Sequence, residues 1–294
     1  MRIVSIGEVL WDLIGDQEYL GGAALNFAAH ATRLGHEVNF VSAVGTDERG
    51  RRVLQRMEEI GLSTRYVHQI ETQPTGVVTV ELNASGVPHF TIHHPAAYDT
   101  PELGESEIAE LLSPKPDWIY FGTLFQMSPP AKKLTYQLID SHCGAGILYD
   151  VNLRKDSYTA SLVKELMARA HVAKLNEDEA VEIDRMFERN SNSLEDFCRS
   201  YAREFGWKSV CVTRGEKGCA MLANGEYVEG RAYALQTKDT VGAGDAFAAA
   251  FIHGLSLQWP AAETADFANR VAALVASRPG GTPLWTLEEA RALR

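Results

Sequence analysis

Apolar and polar positions follow two rhythms along this chain of 294 residues. Short apolar, β-branched runs at residues 3–6, 38–44, 117–122, 147–152, 172–176 and 209–213 read as buried strands. Helical spacing predicts helices over 25–34, 48–60, 130–142, 161–170 and 193–205, with another opening at 177. Gly35 is expected to close the first helix, and Thr46-Asp47 to start the second. Strand and helix in turn is the pattern of a parallel sheet with helical crossovers. The rhythm breaks in one place. Residues 75–82 alternate with period two, 83–86 carry turn chemistry, and 87–94 read as a second strand. This hairpin looks like an insertion projecting from the main sheet, and residues 9–14, interrupted by Asp12, continue as extended chain. Late in the chain come short antiparallel strands near 219–222 and 226–228 and a short strand over 233–235. A nearly all-apolar helix over 246–257 and a last helix over 260–277 follow.

Composition narrows the class. Apolar residues are 45% and charged ones 23%, enough for a sizeable core. A net charge of −11 without any Lys/Arg block argues against nucleic acid or an anionic membrane as the main partner. Cys143, Cys198, Cys211 and Cys219 show neither C-x-x-C nor zinc spacing, so reduced, buried thiols are expected. The chain enters a strand pattern at Arg2, and no apolar run approaches membrane-spanning length. The expected location is cytoplasmic.

The densest chemistry lies at residues 239–247. Asp239, Val241, Gly242, Ala243, Gly244 and Asp245 place two carboxylates and two glycines at the start of the apolar helix. Such a turn offers unpartnered backbone N–H groups and the positive end of a helix dipole to an anion. A carboxylate in the first helical turn could act on a group held beside that anion. Asn26, after Gly21-Gly22, is either a locally bonded helix residue or a ligand contact. Polar residues recur where strands end: Asp150, Asn152 and Arg154; Asn176 and Glu179; Thr213, Gly215 and Gly218. Ligands of open α/β sheets bind outside those ends. No G-x-x-x-x-G-K-[ST] loop is present, and Phe247 occupies the third glycine position of a dinucleotide fingerprint. No G-x-S-x-G elbow occurs, and His93-His94 in the hairpin is a poor metal site. Phosphoryl transfer, which relies on positioning and charge stabilisation, fits what remains.

Residues 21–28, with Gly35 and Gly45 downstream, resemble the N-terminal signature of the PfkB, or ribokinase-like, carbohydrate kinases. Residues 239–252 resemble the C-terminal one, 176–179 the N-x-x-E motif, and 213–218 the nucleotide-phosphate turn. The resemblance implies one ribokinase-like α/β domain over 1–294, a three-layer sandwich around a mostly parallel sheet, with a small β lid from about 11–20 and 75–95. It implies an ATP-dependent sugar kinase with Asp245 as general base and Gly242, Ala243 and Gly244 as anion hole. Asp12, Gly22 and Asn26 would contact sugar, with Asn152 and Arg154 nearby. Asn176, Thr213, Gly215, Gly218 and Asn269 would line ATP, and Glu179 would help place Mg2+ through water. Asp239 and the carbonyls of Val241, Val275, Arg278 and Gly280 fall where many relatives hold a monovalent cation. Leu284 replaces a hydroxyl residue of some of them, so K+ dependence stays open. The stretches 7–12 and 150–154 look most like the fructokinase branch, making D-fructose the first expected substrate. Ribose, 2-keto-3-deoxygluconate and a nucleoside remain alternatives, as does a sensor without catalysis; an NAD-linked oxidoreductase is disfavoured. A homodimer through the lid, using Val77, Val78, Val80 and Leu82, is open, against packing of that face on its own domain.

Overall fold

The computed structural model describes residues 1–82, 88–141 and 144–294. The turn expected at 83–86, the terminal positions 87 and 142 of two expected elements, and Cys143 lie outside the described residues. The strands are β1 (Arg2–Ile6), β2 (Leu10–Ile14), β3 (Gln17–Gly21), β4 (Glu37–Gly45), β5 (Val67–Ile70), β6 (Gly76–Leu82), β7 (Pro88–Ile92), β8 (Trp118–Gly122), β9 (Gly146–Asp150), β10 (Val172–Asn176), β11 (Ser209–Thr213), β12 (Cys219–Ala223) and β13 (Glu226–Gly230). The helices are α1 (Ala23–Arg33), α2 (Glu48–Glu59), α3 (Glu105–Leu111), α4 (Pro129–Asp140), α5 (Ala160–Met167), α6 (Glu177–Met186), α7 (Leu194–Phe205), α8 (Ala243–Ser256), α9 (Ala261–Ala276) and α10 (Leu287–Ala292).

The main sheet runs β13-β12-β11-β10-β9-β8-β1-β4-β5. The stretch from β11 to β5 is parallel, and β12 and β13 add an antiparallel edge. One face packs on Phe27 of α1, Phe247 and Phe251 of α8 and Val271 of α9. The other packs on Leu138 of α4, Leu166 of α5, Ile183 of α6 and Phe197 and Tyr201 of α7. The result is a three-layer sandwich whose central strands are buried on both faces, as their continuous apolar runs require. Parallel strands bring their C-terminal ends, among them Ile6, Gly45, Gly122, Asp150, Asn176 and Thr213, to one edge.

A second sheet of order β3-β2-β6-β7 stands apart from the first. The expected hairpin is its β6–β7 half, and β2 joins it in parallel to β6. Period two sends Val77 and Val78 to opposite faces, and Val78 is buried within its own chain. Exposed Ile14 and Phe90 lie on the same face as Asp12, because Ile14 pairs with Val80 and Val80 with Phe90.

Some elements differ from expectation. Strands β3 and β5 and helices α3 and α10 have too few periodic residues to stand out. Residues 233–235 form no strand, because β13 is already the sheet edge. The Tyr233 ring instead sits 5.0 Å from the Arg231 guanidinium and 5.1 Å from that of Arg270, and its hydroxyl bonds Asp266. Helix α8 begins at Ala243, three residues before the apolar run at 246, and Asp245 lies within its first turn as expected.

Asp47 fastens the second sheet to the first. It caps α2 by accepting from the Gly50 N–H at 2.8 Å. It also accepts from the Thr75 N–H at 2.8 Å and the Thr75 hydroxyl at 2.7 Å, just before β6. Asp47→Ala is expected to lower stability by about 1–2 kcal/mol, the usual cost of losing an N-cap, as read by urea unfolding. An unchanged unfolding midpoint would show that the cap contributes nothing.

Candidate active site

The turn before α8 is built on a backbone constraint. Gly242 is the N-cap in the left-handed region, at φ 76°. A Cβ there would lie 2.1 Å from the Gly281 carbonyl oxygen, so only glycine fits. Ala243, Gly244 and Asp245 then make the first helical turn. The opening N–H groups of such a helix lack intrahelical acceptors, and its dipole favours an anion at this end.

Asp245 accepts a hydrogen bond from the Asn26 amide at 2.9 Å, across 219 residues of sequence. Its carboxyl is pushed up to about 7. Burial is the main cause, the negative charge of Asp150 adds to it, and Lys174, the Asn26 bond and Arg154 oppose it. Beneath the turn, the Lys174 ammonium donates to both oxygens of Asp150, at 3.1 and 3.3 Å. The Tyr120 hydroxyl also donates to Asp150, at 3.2 Å. A Cβ on Gly244 would stand 3.1 Å from the Lys174 nitrogen, so the ammonium lies directly under the anion turn. Burial works against charge on Lys174, yet the carboxylates of Asp150, Glu179 and Asp245 outweigh it and hold its pKa above the ordinary value.

Of the expected sugar-side residues, Asn26 bonds this carboxylate and Arg154 acts on it through space. Asp12, on β2, has a carboxyl raised to about 6, first by burial, with Asp239 raising it further and Arg154 opposing. Gly22 opens α1 at φ 114°, and a Cβ there would lie 2.3 Å from the Glu8 carbonyl oxygen. Asn26 is buried on α1, and its Oδ1 is a buried acceptor without a protein partner. Asn152 takes a left-handed φ of 38° at the end of β9, and exposed Arg154 sends its field to Glu8, Asp12 and Asp245. The expected nucleotide-side residues line the next stretch of the same edge. Asn176 and Thr213 are neighbours in the β10–β11 register, and Gly215 and Gly218 follow in the turn before β12. Asn269 is buried on α9, donating to Ala265 O at 2.9 Å and Cys219 Sγ at 3.2 Å, against Gly230.

Residues 2–287 match the model of the pfkB family carbohydrate kinases. The chain belongs to that family. It is 28% identical to the aminoimidazole riboside kinase of Salmonella typhimurium over 87% of this chain and 81% of that one. It is 26% identical to a Salmonella typhimurium fructokinase, over 87% and 84%. A fructokinase with bound ATP from Xylella fastidiosa superposes with a TM-score of 0.87 over 99% of this chain and 97% of that one; at 21% identity this shows the ribokinase-like fold alone. The protein is thus a carbohydrate kinase, a sugar phosphotransferase.

In a pfkB kinase this edge must hold an acceptor hydroxyl, a phosphoryl group and a base within reach of one another. A carboxyl titrating near neutrality can take a proton at neutral pH, and among the described residues Asp245 combines that property with the anion turn. The donor sets for cations differ in character. Both oxygens of Glu179 already accept backbone N–H groups, from Leu153 and Asn176 at 2.8 Å each, and Glu179 is buried. One lone pair on each oxygen is thus already used, which favours contact with a magnesium shell through water. Asp239 ties the two candidate cation loops together, accepting from Val241 N and Gly280 N at 3.0 Å each. The Val275 carbonyl is occupied by the Arg278 N–H at 3.0 Å, and the Arg278 side chain turns away to Glu289. Among the described residues, no three His, Cys, Asp or Glu side chains converge as a metal site, and no helix is long and apolar enough to cross a membrane.

Sequence reasoning missed Glu8, Lys174, Tyr120 and Gly281 as members of the site. Lys174 had a signal: a lone charge inside the apolar run of β10. Glu8 had the same one, and it is buried, accepting from the Ala23 N–H at 3.1 Å, with burial raising its pKa.

The raised carboxyl gives two expectations. The log of kcat/KM should climb with unit slope at acid pH and level off above about 7. Asp150→Asn should move that limb to lower pH, because it removes a neighbouring negative charge; a limb that stays in place would exclude Asp150 as a cause. Asp245→Asn should also raise the melting temperature of the free protein. In the wild type, ionising Asp245 costs stability progressively between its unfolded value near 3.8 and about 7, and fully above that. The gain should be largest at pH 8 and close towards pH 4, as scanning calorimetry at both pH values would read.

Proposed function

We propose that this kinase transfers the γ-phosphoryl group of ATP to a primary hydroxyl of an unphosphorylated sugar, D-fructose first, giving fructose 6-phosphate. The observation that carries the reading is Asp245, a carboxyl raised to about 7 in the first turn of α8, beside the glycine N-cap and hydrogen-bonded to Asn26. The acceptor oxygen attacks phosphorus as Asp245 takes its proton; the new O–P bond forms, the bond to the β-phosphate oxygen breaks, and ADP leaves. Gly242, Ala243 and Gly244 receive the transferring group on backbone donors, with Lys174 adding charge from below.

Asp12, Gly22 and Asn26 orient the sugar, and the free Oδ1 of Asn26 suits a hydroxyl donor. Asn152 and Arg154 close the sugar pocket. Asn176, Thr213, Gly215 and Gly218 follow the nucleotide phosphates, and Asn269 lies at the adenine end. Mg2+ on the phosphates would neutralise their charge, with Glu179 reaching it through water. Asp239 and the carbonyls of Val241, Arg278 and Gly280 would hold K+, and the Val275 carbonyl, which already accepts from the Arg278 N–H, would add its second lone pair. The whole chain acts as one kinase domain, and the second sheet serves as a lid that excludes water from the reaction. A second copy of the chain covers the exposed Ile14, Tyr19 and Phe90 of that sheet, a point for sedimentation to check. Support for fructose comes from the fructokinase likeness. Support against a sugar phosphate comes from the acids Glu8, Asp12 and Asp245 in the field of Arg154, whose charge a second phosphate would have to share.

A coupled ADP-release assay at fixed ATP, over hexoses, pentoses, 2-keto-3-deoxygluconate, nucleosides and fructose 6-phosphate, tests the reading. Fructose should give the highest kcat/KM, and Asp245→Asn should lower kcat by roughly 10²–10⁴ while ATP still binds. Turnover of another sugar alone would replace fructose, and an unchanged kcat in Asp245→Asn would remove it as the base.

A further inference from the structure

The segment 279–285 crosses behind the anion turn, and one buried histidine holds it there. His30 lies on α1, one helical turn beyond Asn26, and is fully buried. Its Nδ1 accepts the Trp285 indole N–H at 3.0 Å. An indole nitrogen can only donate, so Nδ1 is unprotonated and the proton sits on Nε2. Nε2 therefore donates to the Gly281 carbonyl, 3.0 Å away. Arg33, further along α1, donates to the Thr282 carbonyl at 2.8 Å.

Gly281 is the point where this support meets the reaction site. A Cβ on Gly281 would lie 2.9 Å from both amide atoms of Asn26. The Gly281 oxygen fills the space where a Cβ of Gly242 would stand, at 2.1 Å. Gly281 is thus wedged between the partner of Asp245 and the N-cap of α8. Helix α1 grips both sides of the wedge: Asn26 holds the carboxylate, and His30 holds the carbonyl behind the turn. We propose that His30 is a positioning residue for phosphoryl transfer, fixing Gly281 and through it the anion turn relative to Asp245.

The ring suits a fixed support. Burial, with Arg33 beside it, pushes the His30 pKa down to about 3, so it stays neutral with one donor and one acceptor across the working pH range. A leucine at this position would leave the Gly281 carbonyl and the Trp285 N–H buried without partners. A glutamine amide could replace both bonds, donating from its nitrogen and accepting on its oxygen.

The test uses the full chain with His30→Leu, His30→Gln and Trp285→Phe. Hydrogen–deuterium exchange of the free protein is read over 239–245 and 279–285, with α4 to α7 as the internal control. His30→Leu should speed exchange in both segments and leave the control unchanged, His30→Gln should restore protection, and Trp285→Phe should show a smaller change of the same sign. The kinetic arm rests on the proposed kinase reading: kcat should fall about tenfold in His30→Leu, as expected for a small misplacement of reacting groups, with KM for ATP within about threefold. Glutamine should recover most of it. Normal protection over 239–245 in folded His30→Leu overturns the proposal; if that variant does not fold, normal protection there in Trp285→Phe does so. A fall in kcat that glutamine does not rescue also overturns it. A wild type that turns over no sugar would refute the kinase substrate reading, and the exchange data would still decide the role of His30.

Discussion

A single hydrogen bond, Asn26 to Asp245 at 2.9 Å, joins the first helix of the chain to the helix that opens the anion turn. The carboxylate it holds is expensive to keep charged. Burial and the nearby charge of Asp150 raise its pKa, and Lys174, the Asn26 amide and Arg154 work the other way. That balance places the proton affinity of Asp245 near neutrality, where a base can both accept and release a proton. The fold serves this balance. Parallel strands bring Asp150 and Lys174 to one edge, α1 brings Asn26, and α8 brings Asp245 together with the positive end of its dipole.

Close approach is the second constraint, and it decides where side chains are forbidden. Gly242 must be bare because the Gly281 carbonyl occupies its side-chain space, and Gly22 because the Glu8 carbonyl does. One of these glycines is the N-cap of α8, on the anion turn, and the other the N-cap of α1. Between them the backbone can come close enough to a small ligand for N–H groups, rather than long side chains, to do the holding. On the proposed reading, a chain of net charge −11 would receive a polyanion on a local positive potential, made of oriented amides with the Lys174 ammonium beneath them.

Much of this was legible in the sequence because the informative residues are local. The strands of the parallel sheet are continuous apolar runs, and Asp239 to Asp245 is a contiguous turn whose chemistry can be read in place. The period-two stretch at 75–82 announced the second sheet; the lid over 11–20, which takes in most of β3, came from the family resemblance because β3 has little apolar pattern of its own. Tyr233 looked like strand material and is held instead by its neighbour Arg231 and by Arg270 and Asp266 of α9. The Asp150–Lys174 pair and the His30–Gly281 contact could not be read because their meaning lies in what they face, across 24 and 251 residues of sequence. A lone lysine in an apolar strand and a histidine in an alanine-rich helix mark such places without naming the partner.

The titration of Asp245 itself tests this account most directly. Isotope-edited NMR of the aspartate carboxyls, assigned by comparison with Asp245→Asn, would follow it in the free protein. The account predicts a midpoint of about 7. A midpoint near the ordinary aspartate value of about 4 would contradict it, because the carboxylate would then be neither desolvated nor pressed by Asp150.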